Sequence, residues 1–331
     1  MKFKVVFFVS LFVITGFASC DNQASRTEKN NASLNNLKFE DINYPENNGY
    51  TKARWELGRK LFFDPVLSKD STISCATCHN PQFAFSDNKP TTLGIVNRPG
   101  VRNVPTLTNV AYAPYFMQEG GVASLELQVI VPIQEHNEMA SDFNEIIKKI
   151  RRDSTYVKMA EKAYDRVIDP FVITRAIANF ERTIVSDNSD FDAYLKGNKS
   201  VLSSAELQGM ELFYSNRLNC TSCHSGILFT NYEFENNGLY EVYADSGRMR
   251  LTMNEEDRAK FKVPTLRNIE LTAPYMHNGS LETLEEVVEH YDKGGKSHPN
   301  KSTLIKPLEL TKGEKKSLIL FLKSLTDNEF F

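Results

Sequence analysis

Two pentapeptides pair thiols with an adjacent imidazole: Cys75-Ala76-Thr77-Cys78-His79 and Cys220-Thr221-Ser222-Cys223-His224. This spacing suits a porphyrin. Two thiols add across its two vinyl groups, and the neighbouring histidine reaches the iron as axial ligand. The pattern predicts two covalently held c-type haems. Zinc ribbons also use two C-x-x-C pairs, but with roughly 15–20 residues between them. Here the pairs stand 145 positions apart and each carries its own histidine. A thioredoxin-like dithiol needs a βαβ context, and no such pattern surrounds either motif. Of the five cysteines, four belong to the motifs, so no thiol is left to pair with Cys20.

Cys20 has a different reading. Lys2 and Lys4 precede an apolar stretch, Val5 to Ala18, that is short for a membrane span, so residues 1–19 read as a signal peptide. Phe17-Ala18-Ser19-Cys20 resembles a lipobox, with Cys20 as the lipidated first residue of a periplasmic or cell-envelope lipoprotein. Export suits haem attachment, which takes place outside the cytoplasm. Residues 20–40 are rich in Asn, Ser, Lys and Thr and read as a flexible tether. The 331 residues carry a formal net charge of −3, and −5 without Lys2 and Lys4, which gives no reason to expect a nucleic-acid partner. Their 41% hydrophobic content is enough for two ordinary cores.

The elements that must position the motifs occur twice. Glu56 to Phe63 and Leu207 to Tyr214 read as helices with Gly, Leu and Phe in the same relative places, each preceding a haem motif. Val104-Pro105-Thr106-Leu107-Thr108-Asn109 and Ala113-Pro114-Tyr115 follow the first motif. Val263-Pro264-Thr265-Leu266-Arg267-Asn268 and Ala273-Pro274-Tyr275 follow the second. Such self-similarity predicts duplication of one haem-binding unit. Apolar residues at helical spacing mark Phe143–Lys162 and Pro170–Val185. Capping signatures open helices at Ser203 and Thr311, each with a Glu three residues on. Strand-like alternation is scarce. The expected fold is mainly α: two cytochrome c-like haem domains, residues 41–190 and 191–331, with the boundary in the polar stretch Asp187–Asn198.

With Pro132 to Met139 added, these motifs resemble the bacterial di-haem cytochrome c peroxidase family, whose superfamily includes MauG, the di-haem oxidase of methylamine utilisation. The resemblance spans roughly residues 50–325. It implies a peroxidatic N-terminal haem and a C-terminal haem that accepts electrons from a small cytochrome c or cupredoxin. Homodimers are common among such proteins. Reducing hydrogen peroxide needs an iron with an open position and a group that moves a proton between the peroxide oxygens. The family pattern ends in Glu-Met and so assigns that role to Glu138, which by itself reads as a solvated loop carboxylate. Gln128 falls at the distal glutamine position. Glu135 and His136 are the local rivals.

Several positions depart from the family. The place of a histidine that caps the resting peroxidatic iron is held by Ile95, which cannot ligate. The distal ligand of the C-terminal iron, Met in many peroxidases, falls at Tyr291, as in MauG; Met249, Met253 and Met276 are the other available donors. A phenolate would favour ferric iron relative to a thioether. Two inter-haem tryptophan positions hold Leu218 and Gln118, the latter in Gln118-Glu119-Gly120-Gly121, and the single Trp, Trp55, reads as an anchor in the core. His277 is expected to hydrogen-bond near the inter-haem region. A family Ca²⁺ site maps onto Asn103, Thr272 and Pro274. The expected activity is peroxide reduction to water. A MauG-type oxidase acting on a protein is favoured by Tyr291 and opposed by Leu218 and Gln118. A plain electron carrier is opposed by the Gln128–Glu138 segment.

Overall fold

The computed structural model describes residues 37–327 and 329. The expected signal peptide, the lipidated Cys20 and the tether up to residue 36 lie outside the described residues. Phe39 is not free tether: its ring lies 5.7 Å from that of Tyr112, and the Arg267 guanidinium sits 4.7 Å over it. From Phe39 onward the chain belongs to the fold, because this ring has an aromatic and a cationic partner to settle against.

Helices carry the framework: α1 Lys52–Phe63, α2 Cys75–Cys78, α3 Leu125–Gln128, α4 Ile130–Gln134, α5 Phe143–Ile150, α6 Ser154–Tyr164, α7 Pro170–Glu181, α8 Asp190–Leu195, α9 Ser204–Phe213, α10 Met249–Thr252, α11 Leu284–Asp292 and α12 Lys312–Lys323. Extended pairing among the described residues is one short antiparallel ladder, β1 (Phe234–Glu235) with β2 (Phe261–Lys262), and isolated bridges. The fold is mainly α, as the patterning requires. The Ser203 and Thr311 capping boxes form as expected. Two expectations are revised. The 143–162 helix is two helices, because Asp153 caps a new start by accepting from the Thr155 amide. The 187–198 boundary contains α8, whose Phe191 is fully buried.

Two helix pairs frame the two haem motifs. On α1, Leu57, Leu61 and Phe62 are fully buried, against Val172, Ile173, Ala176 and Ile177 of α7. Gly58 is the crossing point: a Cβ there would lie 1.9 Å from the Ala176 carbonyl oxygen. The second pair repeats the device, since a Cβ on Gly209 of α9 would lie 1.9 Å from the Ser317 carbonyl of α12. Ala normally stabilises a helix interior by about 1 kcal/mol over Gly. Here Gly58→Ala and Gly209→Ala are each expected to destabilise, by about 1–3 kcal/mol, because backbone must move to admit the methyl group. Equilibrium denaturation of each variant checks the sign.

The halves are interlocked. Tyr115 stacks on Phe234 at 5.3 Å and donates to the Tyr232 carbonyl at 2.6 Å. Lys262 donates its backbone N–H to the Gln118 carbonyl at 2.7 Å and its Nζ to the Tyr115 carbonyl at 2.9 Å. Arg102 reaches Asp245 at 2.7 Å and also Glu119, which Arg250 holds from the other side. Deeper, Arg267 makes two 2.8 Å bonds to Asp192, both residues being buried. Burial opposes ionisation of Asp192, but Arg267 and Ser189 outweigh it and hold the carboxyl below its ordinary range. The linker before α8 is closed by Asp327, whose Oδ2 accepts from Ser186 Oγ, Asp187 N and Asn188 N at 3.2, 3.1 and 3.0 Å.

Candidate active site

The first motif is one helical turn. Ser74 precedes it and donates its N–H to Thr77 Oγ1 at 3.0 Å, fixing the start of α2. His79 closes the turn, its N–H bonded to the Cys75 carbonyl at 2.8 Å. Its ring Nδ1 donates to the Phe85 carbonyl at 2.9 Å, which leaves Nε2 with a lone pair for iron. That carbonyl is aimed by a left-handed turn at Ala84 (φ 52°) and Phe85 (φ 56°), and the Phe85 ring anchors the turn against Phe62. Ser86 Oγ donates to Val104 O at 2.6 Å, tying the loop to the Val-Pro-Thr-Leu segment.

The second motif repeats this arrangement on a 3-10 turn, Cys220–Ser222. His224 Nδ1 donates to the Phe229 carbonyl at 3.0 Å, Phe229 is left-handed (φ 52°), and its ring meets Phe213 at 5.7 Å. Thr230 Oγ1 donates to Val263 O at 2.7 Å, as Ser86 does in the first half. All four motif cysteines are free of disulfides. Burial pushes Cys220 up to about 12 and Cys223 to about 11, raises Cys75 and Cys78 as well, and lowers His79 and His224, which disfavours the imidazolium.

Glu138 lies beside the first motif, close enough for its charge to raise the Cys75 and Cys78 thiols further. The loop that carries it folds back on α4, through Met139 N to Pro132 O at 3.1 Å and Ser141 N to Ile133 O at 2.8 Å. Ile95, 3% exposed, donates its N–H to the Glu138 carbonyl at 2.9 Å. Gly94 is needed there, because a Cβ would lie 2.0 Å from the Asn137 carbonyl. Glu138 is half-buried, and burial first, then Glu135, raises its carboxyl above the ordinary range. The rivals Glu135 and His136 are exposed, and Arg98 caps the His136 carbonyl at 2.9 Å. Gln128 is half-buried at the end of α3. The α3 helix is anchored by Glu126, which receives Arg182 at 2.7 and 2.9 Å and Asn48 at 2.7 Å.

At the second motif, Tyr291 of α11 lies within electrostatic reach of Cys220 and Cys223, and the Asn237 side chain is near enough to its phenol to lower it. Burial pushes that phenol up to about 12. Among the rival donors, Met253 is 80% exposed, and Met276 Sδ accepts from Asn237 at 3.1 Å.

The model of the di-haem cytochrome c peroxidase family matches residues 52–200. A methylamine utilization protein MauG from Methylorubrum extorquens is 33% identical over 315 residues, covering 94% of this chain and 89% of its own. The chain belongs to the di-haem cytochrome c peroxidase and MauG family. The cytochrome c551 peroxidase of Nitrosomonas europaea is 38% identical over 281 residues, 83% of this chain and 80% of its own. The solved structure of a MauG-like protein associated with microbial copper homeostasis superposes with a TM-score of 0.84 at 31% identity, covering 88% of this chain and 94% of that one. The family implies two c-type haems. The two turns fit them, each with paired free thiols and a histidine whose Nδ1 is already engaged.

In this family member the positions expected between the haems are occupied as follows. Leu218 is buried at 5% exposure, and Gln118 donates to the Asn103 carbonyl at 3.0 Å. Trp55 packs on Phe180 and donates to Thr183 Oγ1 at 2.9 Å, an anchor as expected. The His277 side chain stacks on Phe261 at 4.2 Å and 14°, near Tyr243 and Tyr240, and it is the backbone carbonyl that accepts a hydrogen bond, from Asn103 N at 2.8 Å. Burial lowers the ring to about 4. Asn103 Nδ2 donates to the Lys89 and Pro90 carbonyls, Thr272 Oγ1 donates to Ile269 O at 3.3 Å, and Pro274 follows it in the segment whose His277 meets Asn103. No group of three His, Cys, Asp or Glu side chains suited to a metal occurs among the described residues.

Sequence reading missed Glu181. It is 4% exposed, its Oε2 has no hydrogen-bond partner, and burial pushes it up to about 8. Its charge is also felt at Cys75. A Glu at the end of an amphipathic pattern gave no sign of this, since its burial is set by elements distant in sequence. The folded state keeps a proton on Glu181 that the unfolded chain releases above the ordinary carboxylate range. Its contribution to stability therefore falls as pH rises from there to about 8, by up to about 1.4 kcal/mol per pH unit. Glu181→Gln is expected to flatten this fall and to be the more stable protein at pH 9. Melting temperatures of the two holoproteins across pH 5–9 check it, and parallel curves would refute it.

Proposed function

We propose that this family member reduces hydrogen peroxide to water with electrons from a small exported redox protein. Each peroxide consumes two electrons and two protons and yields two waters. The observation that carries this reading is Glu138: a half-buried carboxyl, raised by its burial, beside the first haem motif and backbone-bonded to an apolar Ile95. When bound, the haem of the first motif supplies a metal site for peroxide and a route for electrons. His79 would hold the iron through its free Nε2. Glu138 would carry a proton from one peroxide oxygen to the other, a task that suits a carboxyl held above its ordinary range. Gln128 would orient the peroxide by hydrogen bonding. The Ile95 side chain offers no nitrogen to compete for the site.

In this reading residues 41–190 and 191–331 are two haem units derived by duplication, supported by the repeated Gly crossings and the paired histidine–carbonyl turns. The second unit would take up the electrons, its haem held by His224 and Tyr291. The orphaned, buried Gln118 Oε1 beside Asn103 is an oxygen donor that favours retaining Ca²⁺ at Asn103, Thr272 and Pro274. Cys20 anchors the exported protein by lipid. Tyr291 also favours a second reading, a MauG-type oxidation of a protein substrate.

The test is peroxide turnover with a reduced donor cytochrome, comparing fully ferric enzyme with enzyme pre-reduced by one electron. Equal, immediate turnover from both is expected. Turnover only after pre-reduction would refute the open first site. No turnover with several donors would leave the MauG-type reading in its place.

A further inference from the structure

The turn after β1 grips the segment that carries Tyr291. The Asn237 carbonyl accepts from His290 Nε2 at 3.0 Å, and the Gly238 carbonyl accepts from Lys296 N at 2.6 Å. Gly295 has to be glycine at this contact: its φ is +66°, and a Cβ would lie 2.8 Å from the Asn237 carbonyl. Beneath the turn, Asn236 is fully buried and its Oδ1 accepts from Gly238 N at 2.8 Å and Tyr243 OH at 3.1 Å. The backbone of Asn237 is therefore held on both sides of Tyr291.

Its side chain is equally determined. Oδ1 accepts from Leu239 N at 3.2 Å, which fixes the amide so that Nδ2 points the other way. Nδ2 donates to Met276 Sδ at 3.1 Å, and the same side chain is near enough to the Tyr291 phenol to lower it against the effect of burial. One amide thus meets two of the side chains named above as candidate ligands of the second iron. They differ in kind: a phenolate is a hard anionic donor that favours ferric iron, and a thioether is a soft neutral donor that raises the potential.

We propose that Asn237 is a positioning residue that selects the distal ligand of the second haem, holding the Tyr291 oxygen toward the iron and keeping the Met276 sulfur away from it. This rests on the reading of Tyr291 as ligand and adds what enforces it. A donor N–H on a phenolate oxygen stabilises the anion within a buried site. The same NH2 group donates to one of the two lone pairs of the Met276 sulfur and so tethers that side chain at the amide.

The experiment uses ferric holoprotein and reads the phenolate-to-iron signature by resonance Raman, together with the midpoint potential of the second haem. Tyr291→Phe tests the underlying reading separately: it should abolish the signature, and an unchanged spectrum would remove Tyr291 and the proposal together. Asn237→Asp is isosteric and keeps the Leu239 bond, so the turn survives while the donor is lost. Asn237→Leu removes the donor without adding charge. Both are expected to lose most of the phenolate signature and to gain a thioether-ligated species, with a more positive potential in the Leu variant. Adding Met276→Leu should eliminate that species. A wild-type signature in both Asn237 variants would overturn the proposal. Loss of the signature with no thioether species would overturn the part assigned to Met276.

Discussion

Glu138→Gln is expected to lower peroxide turnover by about 10²–10⁴-fold, the usual contribution of a positioned acid–base group, while the haem spectra stay near those of the parent. The substitution keeps shape and leaves the backbone carbonyl that receives Ile95 N–H untouched. What it removes is the exchangeable proton. No neighbour is placed to take over. Glu135 and His136 lie in solvent on the outer part of the same loop, and the His136 carbonyl is engaged by Arg98. The loss should therefore appear in kcat at saturating peroxide, not in the stability of the protein. Turnover equal to the parent would exclude Glu138 from proton transfer.

The largest structural effect is expected at Arg267. Its guanidinium is fully buried, bonded to both Asp192 oxygens at 2.8 Å and to the Ile227 carbonyl at 2.7 Å, with Phe39 against its face. Arg267→Leu leaves Asp192 charged, buried and short of its main partner, which costs about 3–5 kcal/mol in comparable buried pairs. Asp192→Asn combined with Arg267→Leu should recover part of that loss, because the stranded charge is gone. Urea denaturation of the two variants measures both. A single variant as stable as the parent would mean that the pair gives no net stabilisation.

How much of this was readable in the chain depends on how local each feature is. The haem turns were legible because thiol, thiol and imidazole lie within five residues, and the geometry that joins them is one turn of helix. The caps at Ser203 and Thr311 were legible for the same reason. The helix break at Asp153 was missed, although Asp followed by Ser-Thr is a local cap signal, because the apolar period runs through it. Glu181, Asn237 and the Asp192–Arg267 pair were not legible. Their meaning comes from residues distant in sequence, as with Asn237 and Met276 at 39 positions and Arg267 and Asp192 at 75, and no local pattern encodes that meeting. The family resemblance named Glu138, but its burial and its bond to Ile95 follow only from two loops meeting.

Asp327 closing the linker through Ser186, Asp187 and Asn188 has a consequence for how the chain is held together. The three contacts span 141, 140 and 139 positions. One carboxylate therefore closes a ring of chain that contains the whole second haem motif, as a clasp closes a necklace. Its loss would leave two backbone N–H groups and a hydroxyl without this acceptor at once.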